Sequence, residues 1–359
     1  MKVLFACGGT GGHIYPAIAI AEEIKKIDRD AEILFIGAKG KIEEKIVPAN
    51  GYNLKTVTIK GLERKKLFKN LTLPLKIFGA VKDCRKIIKE FNPDLAIGTG
   101  GYASLPAIYA AAKLGVPTLV QGGDSFPSKV TKFLSRYVDK VVINFEETRE
   151  HLKRKEKIVK FSHPVRSSLD EISRDVANEL FGFEPGKKTI FIFGGSQGAR
   201  GVNTAIEEIA DDLKAMNVNI IWQTGKSDFE RIHGKFNNGN IKVYEYIENI
   251  GHAYRIADLV ICRAGISSIM ELSTLGMAAL LIPYPYAAEN HQEKNARTIE
   301  RADAGLVLEE GELKDKLLVT IKTTINDEDA LKKMRVNIKQ FSDPNAARKI
   351  AEEALKLVS

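Results

Sequence analysis

The first half of the chain alternates between short apolar runs and stretches whose apolar residues have helical spacing. Apolar runs bounded by glycine, proline or charged residues predict buried strands, and apolar residues three or four positions apart predict helices. Such alternation with short connections is typical of a parallel sheet with helices on both faces. The predicted strands are residues 1–7, 33–37, 54–59, 93–97, 117–120 and 140–144, and the predicted helices lie after Pro16 and near 42–47, 75–91, 106–114 and 129–137.

The same alternation restarts after a charged, irregular stretch at residues 146–173. A chain of 359 residues is long enough for two domains. We therefore expect two similar α/β halves that face each other across a cleft, with residues 1–161 in one and residues 162–342 in the other. The second half has predicted strands at residues 188–193, 219–223, 241–244, 258–262 and 280–283 and predicted helices at 202–213, around Glu271, at 290–301 and at 345–357.

A glycine turn, Gly8-Gly9-Thr10-Gly11-Gly12-His13, follows the first predicted strand. Its glycines let the backbone approach a ligand closely, and the N–H groups at the start of the next helix attract anions. We expect Pro16 in the first turn of that helix. The strand, turn and helix together predict a phosphate or diphosphate pocket. A tight turn without a ligand is the structural alternative.

Two common nucleotide sites do not fit this turn. A dinucleotide fingerprint needs a third glycine at the position of Ile14, and an acidic residue after the second strand, which here ends in Gly37-Ala38-Lys39. A P-loop needs Gly-Lys-Ser or Gly-Lys-Thr, and the glycines of this turn lead into His13 instead. The expected ligand is therefore neither a nicotinamide or flavin dinucleotide nor a P-loop nucleotide.

The net charge of +8 is concentrated in one segment. Residues 60–89 hold ten lysines and arginines against Glu63 and Asp83, interleaved with leucine, isoleucine and phenylalanine. Such a segment predicts attachment to an anionic membrane surface, with a solvated helix on its own domain as an equal alternative. Nucleic acid is disfavoured as a partner because aromatic residues for base stacking are few.

Cysteine and hydropathy patterns narrow the class of protein further. Cys7, Cys84 and Cys262 are far apart and form no C-x-x-C pair, which argues against a disulfide framework and a zinc site. The sequence begins directly in a strand pattern, and no apolar run reaches membrane-spanning length. We therefore expect a cytoplasmic protein, for which attachment to a membrane surface stays open.

Polar residues after the predicted strands suit a nucleotide sugar held in the cleft. The turn at residues 194–198 is a second anion site, and Arg166 and Arg263 are candidates to neutralise a diphosphate. Glu271, near the start of a helix, is a candidate to accept both ribose hydroxyls. Residues 289–295 are rich in side chains that bind sugar hydroxyls.

Sugar transfer needs a base for the acceptor hydroxyl and stabilisation of the departing diphosphate. His13 is the best candidate base, because a helix N-terminus nearby disfavours its protonated form. A structural capping role for this histidine, and Asp124 as the base, stay open as alternatives. Glycine turns and helix N-termini supply the stabilisation, so we expect no required cofactor and no metal site, with stimulation by a divalent ion left open.

Seven motifs occur together and in order, at residues 8–13 with Pro16, 60–62, 97–102, 164–166, 194–200, 262–271 and 291–295. In these motifs the whole chain resembles the MurG glycosyltransferases. The resemblance implies a GT-B fold of two Rossmann-like domains, with the helix in residues 343–359 packed back on the first. It implies inverting transfer of N-acetylglucosamine from UDP-N-acetylglucosamine to the muramoyl 4-hydroxyl of undecaprenyl-diphospho-muramoyl-pentapeptide in peptidoglycan synthesis. It also implies peripheral attachment to the cytoplasmic face of the inner membrane.

The resemblance assigns roles to individual residues as well. His13 would be the base, and the diphosphates of donor and acceptor would lie against the turn that contains it. The UDP-N-acetylglucosamine contacts would be Thr10, Gly11, Gly12, Asp124, Arg166, Ser196, the backbone of Ile247 at the uracil, Glu271 at the ribose and Gln292 at the sugar, and the acceptor diphosphate contacts would be Gly100, Gly101 and Tyr102.

The chain departs from the family pattern in two places near the expected cleft. Gln121-Gly122-Gly123-Asp124 stands where the family usually has His-Glu-Gln-Asn, so Asp124 replaces a donor-binding asparagine and adds a negative charge. Ser162-His163 stands before Pro164-Val165-Arg166 where the family has Gly-Asn. These changes put the choice of donor or acceptor in question.

Three other functions fit parts of the pattern. A related UDP-sugar transferase would act on another lipid acceptor. A UDP-N-acetylglucosamine 2-epimerase would share the two-domain plan but needs several carboxylates at the sugar, where mainly Glu271 and Glu289 are available. A nucleotide-sugar sensor or membrane scaffold without activity would agree with the loss of His-Glu-Gln-Asn.

Overall fold

The computed structural model describes residues 1–59, 73–165, 172–195 and 198–358, with side chains from residue 75 onward in the second range. The chain forms two compact units, Met1–Arg166 with Asp343–Ser359 and Ser167–Ser342. Each unit has one parallel sheet with helices packed on it. The predicted fold class, α/β with two Rossmann-like parallel sheets, is therefore confirmed. The motif at residues 60–62 lies outside the described ranges.

The first unit is built on a seven-stranded sheet. Its central strands are nearly continuous apolar runs because helices cover both faces. The strands are β1 (Lys2–Ala6), β2 (Glu32–Ala38), β3 (Asn53–Val57), β4 (Leu95–Gly98), β5 (Thr118–Gly122), β6 (Lys140–Ile143) and β7 (Ile158–Lys160), and the helices between them are α1 (Gly11–Ile27), α2 (Glu43–Ala49), α3 (Leu73–Phe91), α4 (Ser104–Lys113) and α5 (Lys129–Leu134).

The second unit repeats this plan with a six-stranded parallel sheet. Trp222, its largest buried side chain, lies in the core between the sheet and its helices. The strands are β8 (Lys188–Phe193), β9 (Val218–Gln223), β10 (Ile241–Tyr244), β11 (Leu259–Cys262), β12 (Ala279–Leu281) and β13 (Leu306–Val307), and the helices are α6 (Arg174–Phe181), α7 (Arg200–Glu208), α8 (Ala210–Ala215), α9 (Phe229–Phe236), α10 (Ile250–Ile256), α11 (Ile266–Leu275), α12 (His291–Arg301), α13 (Leu313–Asn326) and α14 (Glu328–Ile338).

Strand order identifies where each sheet is able to bind a ligand. The order is β3-β2-β1-β4-β5-β6-β7 in the first unit and β10-β9-β8-β11-β12-β13 in the second. In both sheets the order reverses beside the first strand, at β1 with β4 and at β8 with β11. Open parallel sheets bind ligands beyond the carboxyl ends of the strands at such a point. Both glycine turns that follow β1 and β8 lie there.

A last helix, α15 (Ala346–Leu355), belongs to the first unit although it follows the second in sequence. It packs on α1, where Ile350, Ala351 and Ala354 share one buried cluster with Ile14 and Ile18. An ion pair of 2.9 Å between Lys140 and Glu353 adds a polar contact to the sheet. Within the described ranges, no helix is both long and apolar enough to cross a bilayer.

Several local predictions are wrong. Helix α1 begins at Gly11, inside the glycine turn, so Pro16 lies within the helix and not in its first turn. The region predicted as one helix at residues 202–213 consists of two helices, since α7 ends before Ile209 and α8 begins after it. The stretch expected to be irregular contains β7, which extends the first sheet beside β6.

Candidate active site

The two glycine turns of the first unit pack directly against each other beyond β1 and β4. Gly101 has a φ of 77°, and a Cβ atom there would lie 2.1 Å from the carbonyl oxygen of Gly8. A Cβ atom on Gly8 would lie 2.3 Å from a carboxylate oxygen of Glu43, and one on Gly9 would lie 3.5 Å from the Tyr102 ring. Close packing therefore requires glycine at Gly8 and Gly101.

His13 is the third residue of α1 and lies against the second of these turns. Its Nδ1 is 3.2 Å from the carbonyl oxygen of Thr99, and the Thr99 hydroxyl donates to the His13 carbonyl at 2.6 Å. A carbonyl only accepts, so Nδ1 carries the hydrogen in this contact and the basic lone pair is on Nε2. A Cβ atom on Gly100 would lie 2.6 Å from Nδ1. The structure thus brings together His13, Gly100 and Gly101, whose roles stay predictions.

The N-terminus of α1 faces the same site. Thr10 is the N-cap, and Gly11 and Gly12 are the first two residues of a 17-residue helix. The N–H groups at these positions have no acceptor within the helix, and the helix dipole adds partial positive charge at this end. The arrangement suits a negatively charged group, as the sequence predicts for Thr10, Gly11 and Gly12.

Glu43 is a site residue that sequence reasoning missed. Its side chain is fully buried, and its carboxylate accepts hydrogen bonds from the N–H groups of Gly9 at 3.1 Å and Ala38 at 2.9 Å. A Cβ atom on Gly37 would lie 2.6 Å from Cγ of Glu43, so the glycine makes room for this side chain. The pKa of the Cys7 thiol is raised by burial first and by the Glu43 charge second. In the sequence only Gly37 indicated this contact, because the contact depends on how α2 packs against the end of β2.

One residue from each departure from the family pattern, Gln121 and His163, lies in a buried cluster beyond β5 and β7. Gln121, near the end of β5, has its Nε2 2.9 Å from Nδ1 of His163, which follows β7. The backbone N–H of His163 donates to Oδ1 of Asn144 at 3.0 Å. Asp124 lies in the loop after β5, where its carbonyl oxygen accepts from the Thr148 hydroxyl at 3.2 Å.

The protonation state of His163 follows from this environment. Burial, with the charge of His13 as the second cause, lowers its pKa from 6.5 to about 3. Its imidazole is therefore neutral at ordinary pH. Accepting a hydrogen bond from Gln121 at Nδ1 places the ring hydrogen on Nε2.

In the second unit, the predicted ribose ligand is held from within the core. Glu271 is the sixth residue of α11 and is not near its start, contrary to the prediction, and its Oε2 accepts from the Tyr254 hydroxyl at 2.9 Å. The Tyr254 ring packs edge-on against Phe191 and Phe193 of β8. Tyr254 therefore orients the carboxylate, a contact that sequence reasoning missed because the two residues lie on different helices.

Two other predicted donor contacts have partners within the second unit. The N–H of Ile247 donates to Oε1 of Gln223 at 2.9 Å, so uracil recognition through that N–H requires Gln223 to move. Gln292, the second residue of α12, accepts from the N–H of Tyr284 at 3.0 Å. Glu289 and Asn290 before it both have φ near 55°, a strained conformation that often marks a functional loop.

Arg263 has a different environment from the one expected of a diphosphate ligand. It is buried, donates to the carbonyl oxygens of Ile282 at 3.3 Å and Pro283 at 3.2 Å, and pairs with Glu310. These contacts hold the loop after β12 and satisfy the guanidinium inside the unit. Arg166 and Ser196, the other predicted diphosphate contacts, lie outside the described residues.

Two described glycines after β8, Gly194 and Gly198, are closely packed. Gly198 has a φ of 77°, and a Cβ atom there would lie 2.2 Å from the carbonyl oxygen of Thr224. A Cβ atom on Gly194 would lie 2.4 Å from the backbone nitrogen of Ala199. Gly198 and Ala199 lead into the N-terminus of α7, which suits an anion in the second unit.

Comparisons with known proteins agree with this architecture over the whole chain. Residues 3–143 match the glycosyltransferase family 28 N-terminal domain, and residues 189–352 match the glycosyltransferase family 28 C-terminal domain. A UDP-N-acetylglucosamine–N-acetylmuramyl-(pentapeptide) pyrophosphoryl-undecaprenol N-acetylglucosamine transferase from Listeria monocytogenes serotype 4b is 39% identical over 363 residues, covering 100% of both chains.

Solved structures give the same result at the level of the fold. The crystal structure of MurG from Acinetobacter baumannii has a TM-score of 0.76 and 26% identity, and covers 99% of this chain and 100% of that one. A UDP-GlcNAc 2-epimerase from Neisseria meningitidis has a TM-score of 0.72 at 14% identity over 99% of this chain and 100% of its own, which is a likeness of fold alone. The chain belongs to glycosyltransferase family 28 and, within it, to the MurG family of N-acetylglucosamine transferases.

Proposed function

We propose that this protein transfers N-acetylglucosamine from UDP-N-acetylglucosamine to the muramoyl 4-hydroxyl of undecaprenyl-diphospho-muramoyl-pentapeptide. Family membership over the full chain supports this reaction. The contact of His13 Nδ1 with the Thr99 carbonyl carries the mechanism, because a histidine that donates at Nδ1 has its basic lone pair on Nε2.

In this mechanism the 4-oxygen of the muramoyl group attacks the anomeric carbon while its proton moves to Nε2 of His13. The bond from the anomeric carbon to the diphosphate breaks, and its electron pair leaves with UDP. Attack opposite to the leaving group inverts the configuration at that carbon. The N–H groups of the turn after β8 and of the N-terminus of α7 would stabilise the departing charge. We propose that no resident cofactor is required, and that a divalent ion at most stimulates the reaction.

The first unit would bind the lipid diphosphate at Gly100, Gly101 and Tyr102, and the second would bind the UDP-sugar at Glu271 and Gln292. We propose peripheral attachment to the cytoplasmic face of the inner membrane. Helix α3 supports attachment to an anionic surface, because its exposed side carries apolar and basic residues together. Nucleic acid is not a proposed partner.

Radiolabelled UDP-N-acetylglucosamine provides the direct test. We expect label in a lipid product only when the muramoyl-pentapeptide lipid is present. Undecaprenyl diphosphate without the muramoyl group and diacylglycerol serve as control acceptors, and transfer to either of them would favour the alternative lipid glycosyltransferase. Release of an N-acetylmannosamine epimer without acceptor would favour an epimerase. No turnover of the donor in any mixture would contradict the proposal.

A further inference from the structure

Gln121 and His163 form a contact that the proposed mechanism does not use. Gln121 is 1% exposed and His163 is 3% exposed, and the amide and imidazole groups meet at 2.9 Å. Gln121 and His163 are 42 positions apart in the sequence. The side chain of Asn144, which follows β6, accepts a hydrogen bond from the backbone N–H of His163. The contact therefore ties together the carboxyl ends of β5, β6 and β7.

This cluster lies beside the strand end that orients His13. Gly98 of β4 pairs with Val120 of β5, so Thr99 and Gln121 are the next residues along two neighbouring strands. The carbonyl of Thr99 is the group that faces Nδ1 of His13. The charge of His13 also affects the pKa of His163, so the two imidazoles are electrostatic neighbours. A displacement of the Gln121 backbone would therefore move the neighbouring end of β4, and with it the Thr99 carbonyl that contacts His13.

The amide of Gln121 is incompletely satisfied, since its buried Oε1 has no hydrogen-bond partner. Buried polar atoms without partners are uncommon and destabilising, so the rest of the cluster has to fix the amide. The single hydrogen bond to His163 is the one that does so. Loss of the imidazole would leave both ends of the amide unpaired, which predicts strong coupling between the two positions.

The two departures from the pattern of the family that the chain resembles meet in this contact. The family pattern has histidine where this chain has Gln121, and asparagine where it has His163. Each departure alone replaces the chemistry of one position. Together, across one hydrogen bond, they keep an imidazole facing an amide with the two partners exchanged.

We propose that Gln121 and His163 are a positioning pair that holds the end of β5 against the strand end carrying Thr99, and so fixes the imidazole of His13 for proton transfer. The proposal rests on the proposed role of His13 as the base. On this proposal the pair needs one amide and one imidazole, and either group is able to occupy either position.

Exchange of the two residues provides the test. Gln121→His places two imidazoles together, and His163→Asn places two amides together. We expect each single variant to lose kcat on the order of tenfold or more through misplacement of the base, with KM for UDP-N-acetylglucosamine changed by less than about twofold. The double variant Gln121→His/His163→Asn should recover kcat to within about threefold of the parent chain.

A readout independent of turnover separates failure of this pair from failure of the proposed function. With 15N-labelled histidine, the His13 ring signals, assigned through His13→Ala, should shift in both single variants and return in the double variant. If the parent chain transfers no sugar, these signals still decide the proposal. Three results would each overturn the proposal. In the first, the single variants keep the parental kcat and His13 signals. In the second, kcat falls only in proportion to the folded fraction measured by circular dichroism, and in the third, the double variant is no better than the poorer single variant. If one single variant does not fold, the other and the double variant provide the same comparison.

Discussion

The imidazole of His13 is oriented by a backbone group. The Thr99 carbonyl faces Nδ1, and the Thr99 hydroxyl binds the His13 carbonyl, so two contacts fix both the ring and the main chain. A carboxylate does the same for the histidine of a Ser-His-Asp triad, where it holds the tautomer that exposes the basic nitrogen. At this residue a neutral acceptor is sufficient to select the same tautomer.

Replacement of His13 by alanine tests its assignment as the base. We expect His13→Ala to reduce kcat by about 100-fold or more, because general base catalysis is lost. UDP binding, measured by calorimetry, should change little, because the predicted uracil and ribose contacts, Ile247 and Glu271, both lie in the second unit. His233→Ala, on α9, is the matched control and should keep the parental rate. Full activity of His13→Ala would assign the base to another residue, with Asp124 the first to examine.

Glu43 is expected to act through the shape of the glycine turn. Glu43→Ala leaves the partly buried N–H group of Gly9 and the buried N–H group of Ala38 without their acceptor, so the free energy of unfolding of the first unit should fall by about 2–4 kcal/mol. Glu43→Gln keeps one acceptor oxygen and should lose less. Urea unfolding followed by far-UV circular dichroism measures the change.

Two controls restrict this effect to the turn. Fluorescence of Trp222, the single tryptophan, reports on the second unit and should show an unchanged transition in Glu43→Ala. Lys45→Ala, on the exposed side of α2, should leave both transitions unchanged. A Glu43→Ala variant as stable as the parent chain would mean that the turn does not depend on this carboxylate.

Sequence reasoning predicted the residues whose signal is local and missed those whose partners are distant. The turn containing His13 follows a strand directly, and its glycines are visible within six positions. Glu43 meets Gly9 across 34 residues, and Gln121 meets His163 across 42. Such contacts depend on strand order, which periodicity does not specify. Arg263 has a cation suited to a diphosphate, but only the fold shows that Glu310 already pairs with it.

At the scale of single elements, α3 presents two chemically different sides. Ala80, Cys84 and Ile88, four residues apart, are buried in the first unit. The other side exposes Leu75 at 74% and Phe78 at 73% among lysines and arginines. Exposed large apolar residues beside cations are typical of a helix that lies on an anionic bilayer.

The double variant Leu75→Ser/Phe78→Ser tests this surface. Its affinity for vesicles containing anionic lipid, measured by co-sedimentation, should fall on the order of tenfold or more, because both side chains lose their burial in the bilayer. Val319→Ser/Val336→Ser, at exposed positions on α13 and α14, is the matched control and should bind as the parent chain does. Equal vesicle binding by both variants would mean that α3 is an ordinary solvated helix and not a membrane-binding surface.

Element type was predicted better than element boundaries. The central strands of both sheets have continuous apolar runs, which is why β1 and β5, with five residues each, were predicted from their hydropathy to within two residues. Pro16, in contrast, led to a wrong prediction for the start of α1. Proline lacks an N–H group, and inside a helix it removes one hydrogen bond. Helix α13 was missed although its buried Leu313, Leu317 and Ile321 lie four apart, because charged residues dilute the apolar pattern between them.

At the scale of the whole molecule, stability should depend on pH through His163. The folded protein keeps this imidazole neutral down to a pKa of about 3, whereas the unfolded chain takes up a proton below about 6.5. The stabilisation is therefore complete above pH 6.5 and is lost as the pH falls towards 3, by up to about 1.4 kcal/mol per pH unit.

Comparison of the parent chain with His163→Asn isolates this contribution from that of the carboxylates. Between pH 7 and pH 5 the parent chain should lose about 2 kcal/mol more of its unfolding free energy than the variant. Urea titrations at the two pH values, followed by far-UV circular dichroism, measure the difference. Equal losses in both proteins would mean that His163 is protonated in the folded state.

The two-unit plan was predictable because each half repeats the same alternation of strands and helices. The strand orders agree with the Rossmann plan because right-handed crossovers and buried parallel strands allow few alternatives. The packing of α15 on α1 was not available from the pattern of the helix itself, which has one apolar face and does not specify its partner. Only the resemblance to a known family indicated where it packs.

The position of α15 has a consequence for synthesis on the ribosome. Its residues Ile350, Ala351 and Ala354 complete a cluster whose other members are translated first. The first unit therefore emerges with part of a helix face uncovered and stays so while all of Ser167–Ser342 is made. The second unit, continuous in sequence, is able to close its own core during that interval. The order of completion is thus the reverse of the order of translation, and the nascent first unit is the part on which a chaperone would act.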